Sequence, residues 1–112
     1  MRRWRQESRD PLAPVLREWE HLARAARQGP GSRLTAGCRR LDLALEALDR
    51  GRLPAAPDPS VSLHLEETLH SLGKAADSCS QGAYFLTSWR LQEAAESWRE
   101  LRGRMLVYGL SP

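Results

Sequence analysis

Lysine is almost missing from this chain. Lys74 is the one lysine among 17 basic residues, and the other sixteen are arginine. A bias of that kind arises either from genomic composition or from a need for bidentate contacts. The arginines are dispersed along the chain, which points to composition. Also missing is any apolar run near the ~18–20 residues of a membrane span. No apolar segment follows Met1-Arg2-Arg3-Trp4-Arg5, so the start does not read as a secretory signal, and the expected location is the cytoplasm. There are two cysteines and no Cys-x-x-Cys. There is no Gly-x-Ser-x-Gly, P-loop, Gly-rich dinucleotide turn or His-Glu-x-x-His, so no familiar catalytic motif is present.

What is present suits one small domain of 112 residues, of which 41% are hydrophobic. A compositionally disordered chain would carry less leucine and more net charge. The net charge of +3 is concentrated in residues 1–9, where Arg2, Arg3, Arg5 and Arg9 face only Glu7. The other 103 residues carry 13 bases and 13 acids. That balance argues against a generally basic, nucleic-acid-binding body.

Apolar spacing supplies the fold. Leu34, Cys38, Leu41, Leu45 and Leu48 follow one another at steps of 4, 3, 4 and 3, and Leu65, Leu69, Leu72, Ala76 and Cys79 repeat those steps. Each set lies on one face of a helix. The Pro-rich segment from Gly51 to Pro59 cannot stay helical, so the two helices fold back on each other. An antiparallel register pairs Leu48 with Leu69, Leu45 with Leu72, Leu41 with Ala76 and Cys38 with Cys79, each pair summing to 117. The two cysteines thus share a level, where a disulfide is geometrically conceivable. A reducing cytosol favours free thiols acting as small apolar residues.

Two further helices flank this hairpin. Asp10-Pro11 reads as an N-cap and first helical position, with Leu12, Val15, Leu16, Trp19, Leu22, Ala23 and Ala26 as the apolar face and Gly29-Pro30-Gly31 as the stop. The second helix is expected from Ser32 to Arg50, and the third from Asp58-Pro59 to about Ser80. Continuing the third stripe past Gly82 would place Arg90 and Glu93 in the core. A new stripe, Tyr84, Thr87, Leu91, Ala94, Trp98, Leu101 and Met105, predicts a turn at Ser80-Gln81-Gly82 and a fourth helix over roughly 83–106. Tyr108 and Leu110 are candidates to fold back on the core. The expected fold is all-α, a four-helix up-down-up-down bundle built on a central antiparallel helical hairpin. It has a flexible basic N-terminal arm, residues 1–9, and a single helical-bundle domain, residues 10–112.

Three chemistries can be weighed. A di-metal carboxylate bundle uses Glu-x-x-His pairs, and the chain has two, Glu18/His21 and Glu67/His70, with Glu46, Glu93 and Glu96 as further carboxylates. At roughly 100° per residue, His21 falls about 150°, and His70 about 140°, from the centre of its helix's apolar face. These side chains point outward, so no metal, cofactor or small-molecule substrate is expected. His64 reads as a histidine of the capping region or surface. The basic arm could hold phosphates through Arg2, Arg3 and Arg5 while Trp4 stacks on a base, with Arg39 and Arg40 adding basic surface.

The third feature is an apolar excess. Phe85 and Trp89 stand opposite the main stripe of the fourth helix, so residues 83–91 are apolar nearly all round, and Leu43 and Leu63 are also off-stripe. Such a face is either buried internally or awaits a partner. The expected function is a non-catalytic helical interaction module, self-associating or docking on a partner protein through Phe85, Leu86 and Trp89. The alternative is a nucleic-acid-binding accessory subunit of a ribonucleoprotein-type complex, using Arg2, Arg3, Trp4, Arg5, Arg39 and Arg40.

Overall fold

The computed structural model describes the backbone of residues 2–50, 53 and 58–107, and the side chains of 11–50, 53 and 58–104. These residues form four helices: α1 (Arg2–Arg27), α2 (Ser32–Ala47), α3 (Pro59–Ser80) and α4 (Tyr84–Val107). No strand occurs among the described residues. The long axis is 41 Å, close to the ~39 Å that 26 helical residues span at 1.5 Å each.

Helix α1 begins at Arg2, not at the expected cap Asp10, so residues 2–9 are its first turns and Pro11 and Pro14 lie inside it. Proline has no N–H, so neither residue can donate to the carbonyl four residues earlier. The helix therefore runs through a stretch short of two backbone bonds. The side chains of Arg2, Arg3, Trp4 and Arg5 lie outside the described residues, as do Tyr108 and Leu110.

Helix α2 ends at Ala47, before the expected Arg50. Leu48 turns to extended backbone (φ −72°, ψ 114°) and packs partly buried against the core. The proposed stop at Gly51 lies outside the described residues. Helix α3 starts as its sequence predicts. Asp58 Oδ1 accepts from the Ser60 backbone N–H at 2.8 Å and from its hydroxyl at 2.9 Å, and Pro59 follows as the first helical residue. Gly82 at φ +76° makes the turn into α4, a conformation in which a Cβ would be strained.

The predicted stripes form the core. Leu12, Val15, Leu22, Leu34, Leu41, Leu69, Leu72, Leu91, Ala94 and Leu101 are all buried. Helix α3 is buried most broadly, with ten buried residues against four on α2, so it is α3 and not α4 that is central. Its width includes hydroxyls the apolar pattern passes over. Thr68 donates to the His64 carbonyl at 2.7 Å and Ser78 to that of Lys74 at 2.9 Å, which lets polar groups face the core without loss.

Two ties join α2 and the residues just after it to α3. Cys38 and Cys79 form a disulfide with Cα atoms 6.1 Å apart, so the thiols expected to stay free are bonded. Arg50 Nη1 meets Glu66 Oε2 at 2.6 Å near the other end. Helices α1 and α2 meet closely at Gly37, where a Cβ would stand 3.2 Å from Leu22 Cδ1. Helix α4 reaches α1 through Trp19 and Trp98, whose rings meet edge-on at 6.3 Å.

Candidate functional site

The turn at Gly82 resets the helical phase, and this places two adjacent aromatic residues on different surfaces. The α4 core stripe begins at Tyr84, which packs against the core and donates its hydroxyl to the Ala26 carbonyl at 2.8 Å. Phe85 follows one residue later. At roughly 100° per residue, Phe85 and Trp89 lie about 150° and 170° from the centre of that stripe. Phe85 is 86% exposed, Trp89 53% and Leu86 40%. Residues three and four apart are neighbours on a helix surface, so the three make one apolar face just over one turn long.

Electrostatics around this face are muted. Arg90 lies with its guanidinium carbon 4.7 Å from the Trp89 ring centroid and pairs with Glu93 at 3.1 Å. From Ser78 to Trp89 the chain has no Asp, Glu, Lys or Arg, its longest run without one. Loss of charge is the compositional mark of an interface core. That run was readable in the sequence, as a second signal beside the helical wheel. Leu43 and Leu63 are also exposed, but they stand on α2 and α3 as single leucines, which are ordinary on protein surfaces.

Two open grooves carry the remaining charged candidates. One, about 570 Å³ between α1 and α2, is lined by His21, Arg24, Gln28, Ser32, Arg33 and Arg40. Arg40 pairs with Glu18 at 3.2 Å, Arg24 approaches Glu20 at 3.9 Å, and Arg33 donates to the Gln28 side-chain carbonyl at 3.3 Å. Arg39 is exposed on α2. Sequence reasoning singled out Arg39 and Arg40 but missed Arg24 and Arg33, because their convergence depends on how α1 lies beside α2.

The other groove, about 400 Å³ on α3 and α4, is lined by His64, Glu67, His70, Glu93, Glu96 and Glu100. It brings Glu67/His70 together with Glu93 and Glu96, while Glu18/His21 stands apart between α1 and α2. The two Glu-x-x-His pairs thus share no site. Among the described residues no group of three or more His, Cys, Asp or Glu is arranged to hold a metal ion. No described helix is long and apolar enough to cross a membrane. The chain matches no protein-family model, no curated protein and no solved structure.

Proposed function

We propose that this chain is a non-catalytic helical interaction module that buries the Phe85/Leu86/Trp89 face of α4 against another protein surface. The observation that carries the reading is Phe85, a phenylalanine left 86% exposed one residue after a tyrosine that is tied into the core. Fully burying a side chain of this class is worth about 1.5–3 kcal/mol, and large aromatics are the usual anchors of interfaces. The residues suited to acid–base chemistry stand in open grooves beside ordinary partners, His64 with Glu67 at 3.4 Å and His21 with Glu18 at 3.9 Å.

The scaffold for this face is an up-down-up-down bundle on the α2–α3 hairpin. Supporting it are the Cys38–Cys79 bond between α2 and α3, the Arg50–Glu66 pair from the chain just after α2 to α3, and the Trp19–Trp98 contact from α1 to α4. The Cys38–Cys79 bond weighs against the expected cytoplasmic location, because disulfides persist in oxidising compartments.

Trp89→Ala tests the interaction reading. The variant should keep its helical signal and thermal midpoint while losing association. A variant that unfolds, with no soluble dissociated form, would show that the face belongs to the fold.

A second reading, nucleic-acid binding, draws support from the convergence of Arg24, Arg33 and Arg40 on one groove. Two of the three already have carboxylate partners, so it ranks second. Binding that falls steeply with salt and is lost in Arg33→Ala/Arg40→Ala, or on deleting residues 1–9, would support it. An absence of binding at low salt would remove it.

A further inference from the structure

We infer that the groove between α1 and α2 is a binding site for a single phosphate group, free or carried by a small molecule, and that Arg24, Arg33 and Arg40 hold it. The inference is independent of the α4 face. It differs from nucleic-acid binding in needing this groove alone.

The hollow has a structural cause. Gly37 lets α2 lie close against Leu22 of α1. Ala25 and Ala36, which line the groove, end in a methyl group and cannot fill the space between the helices. Longer side chains surround them. His21, Arg24 and Gln28 follow one another on α1 at steps of 3 and 4, and Arg33 and Arg40 stand 3 before and 4 after Ala36 on α2. Such steps keep each set on one helix face, and both sets line the same space.

Charge selects the ligand. Among the described residues no Asp or Glu lines the groove, while three guanidiniums do. Each guanidinium has five N–H donors and no acceptor. Arg40 donates to Glu18 through Nε alone, which fixes its plane and leaves both terminal nitrogens unpaired among the described residues. Arg33 donates only to the neutral Gln28 amide. Arg24 meets Glu20 at 3.9 Å, and both side chains are more than half exposed, so that pair is weak. The donors can therefore turn to a ligand without leaving a buried carboxylate unpaired. Guanidinium forks match oxyanions, and three of them suit the three terminal oxygens of a phosphate better than the two of a carboxylate.

Size and surroundings argue for a small ligand. The groove volume of about 570 Å³ lies within the roughly 300–1,000 Å³ of small-molecule sites. A polynucleotide needs a continuous basic track. Outside residues 1–9 the chain carries 13 bases and 13 acids. Arg9 precedes Arg24 by about 22 Å of helix, with Glu18 and Glu20 between them.

The test is a titration of the isotope-labelled full chain, followed by amide NMR shifts, with inorganic phosphate, glycerol phosphate or a random single-stranded oligonucleotide. Sodium chloride at equal ionic strength is the reference. The variants are Arg33→Ala, Arg40→Ala, Arg39→Ala and Arg2→Gln/Arg3→Gln/Arg5→Gln, each checked by circular dichroism. Saturable shifts at Gln28, Ser32, Arg33 and Ala36, weakened at least about tenfold by Arg33→Ala and Arg40→Ala and unchanged in the other two variants, support the proposal. Should Arg40→Ala unfold, Arg33→Ala decides, because Arg33 has no carboxylate partner among the described residues. Glycerol phosphate binding as tightly as inorganic phosphate supports a small ester as the ligand, and inorganic phosphate binding alone supports the free anion. Phosphate that acts only as chloride does overturns the proposal. So does binding that Arg39→Ala weakens as much as Arg33→Ala, since another surface would then be in use. Oligonucleotide binding without phosphate binding, lost in the Arg2/Arg3/Arg5 variant, also overturns it and favours the nucleic-acid reading.

Discussion

The rings of Tyr84 and Phe85 meet edge-on, 5.4 Å between centroids, although only Tyr84 belongs to the core-facing stripe of α4. Tyr84 is tied to the carbonyl of Ala26, fifty-eight residues earlier in the chain, and Phe85 stands in solvent. The Ala26 carbonyl also accepts from Gly29 N–H at 3.2 Å, so removal of the tyrosine hydroxyl leaves it partnered. Tyr84→Phe should therefore lower stability by only about 1 kcal/mol. Phe85→Ser should change it by less than about 0.5 kcal/mol in the monomer. Urea denaturation at low protein concentration checks both. A Phe85→Ser cost well above that of Tyr84→Phe would mean the ring is not free.

The disulfide joins α2 to α3, the Arg50–Glu66 pair joins the chain just after α2 to α3, and their weights should differ greatly. Cys38–Cys79 spans 41 residues of sequence, and closing a loop of that size stabilises by roughly 4 kcal/mol in the chain-entropy account. Arg50 and Glu66 are each about half exposed, where ion pairs contribute at most about 1 kcal/mol. Chemical denaturation with and without reductant, set beside Glu66→Gln, should show a large shift for the first and a small one for the second.

Three glycines should respond to substitution in three ways. Gly73 lies inside α3, and a Cβ added there would meet nothing within 4 Å, so Gly73→Ala should stabilise by about 0.5–1 kcal/mol through helix propensity. Gly82 holds φ +76°, and Gly82→Ala should cost about 1–2 kcal/mol. At Gly37 even a Cβ would crowd Leu22, which has no exposed surface, so Gly37→Val should cost about 1–3 kcal/mol by overpacking. Thermal midpoints of the three variants give the order directly.

The Trp19–Trp98 contact, 82° between ring planes, joins the first and last helices. A double-mutant cycle with Trp19→Leu and Trp98→Leu should return a coupling of about 0.5–1.5 kcal/mol. A coupling near zero would count against α1 and α4 being neighbours.

The same dipeptide, Asp-Pro, shows how far sequence rules carried. At Asp58-Pro59 it starts a helix, because Ala56 and Asp58 each precede a proline and are biased toward extended backbone. At Asp10-Pro11 it does not. The residues before it, Arg5-Gln6-Glu7-Ser8-Arg9, include several good helix formers, and the helix continues through them to Arg2. Capping signals are read one position at a time, and what stands upstream decided between the two.

Periodicity did better, because it records contacts between residues three and four apart. The stripes of α1 to α4 became the core, and the break in phase at Ser80-Gln81-Gly82 became the turn that exposes Phe85 and Trp89. The fourth-helix wheel alone left open whether those two were buried inside or presented outward. Packing decided it, since α3 took the broad central position and left α4 one side in solvent. Packing also brought Arg24 and Arg33 to Arg40, set Leu22 on Gly37, and joined Cys38 to Cys79. Those pairings lie between 7 and 41 residues apart in the chain. A single sequence determines which face of each helix is apolar, but the distance between faces exists only once the helices are packed.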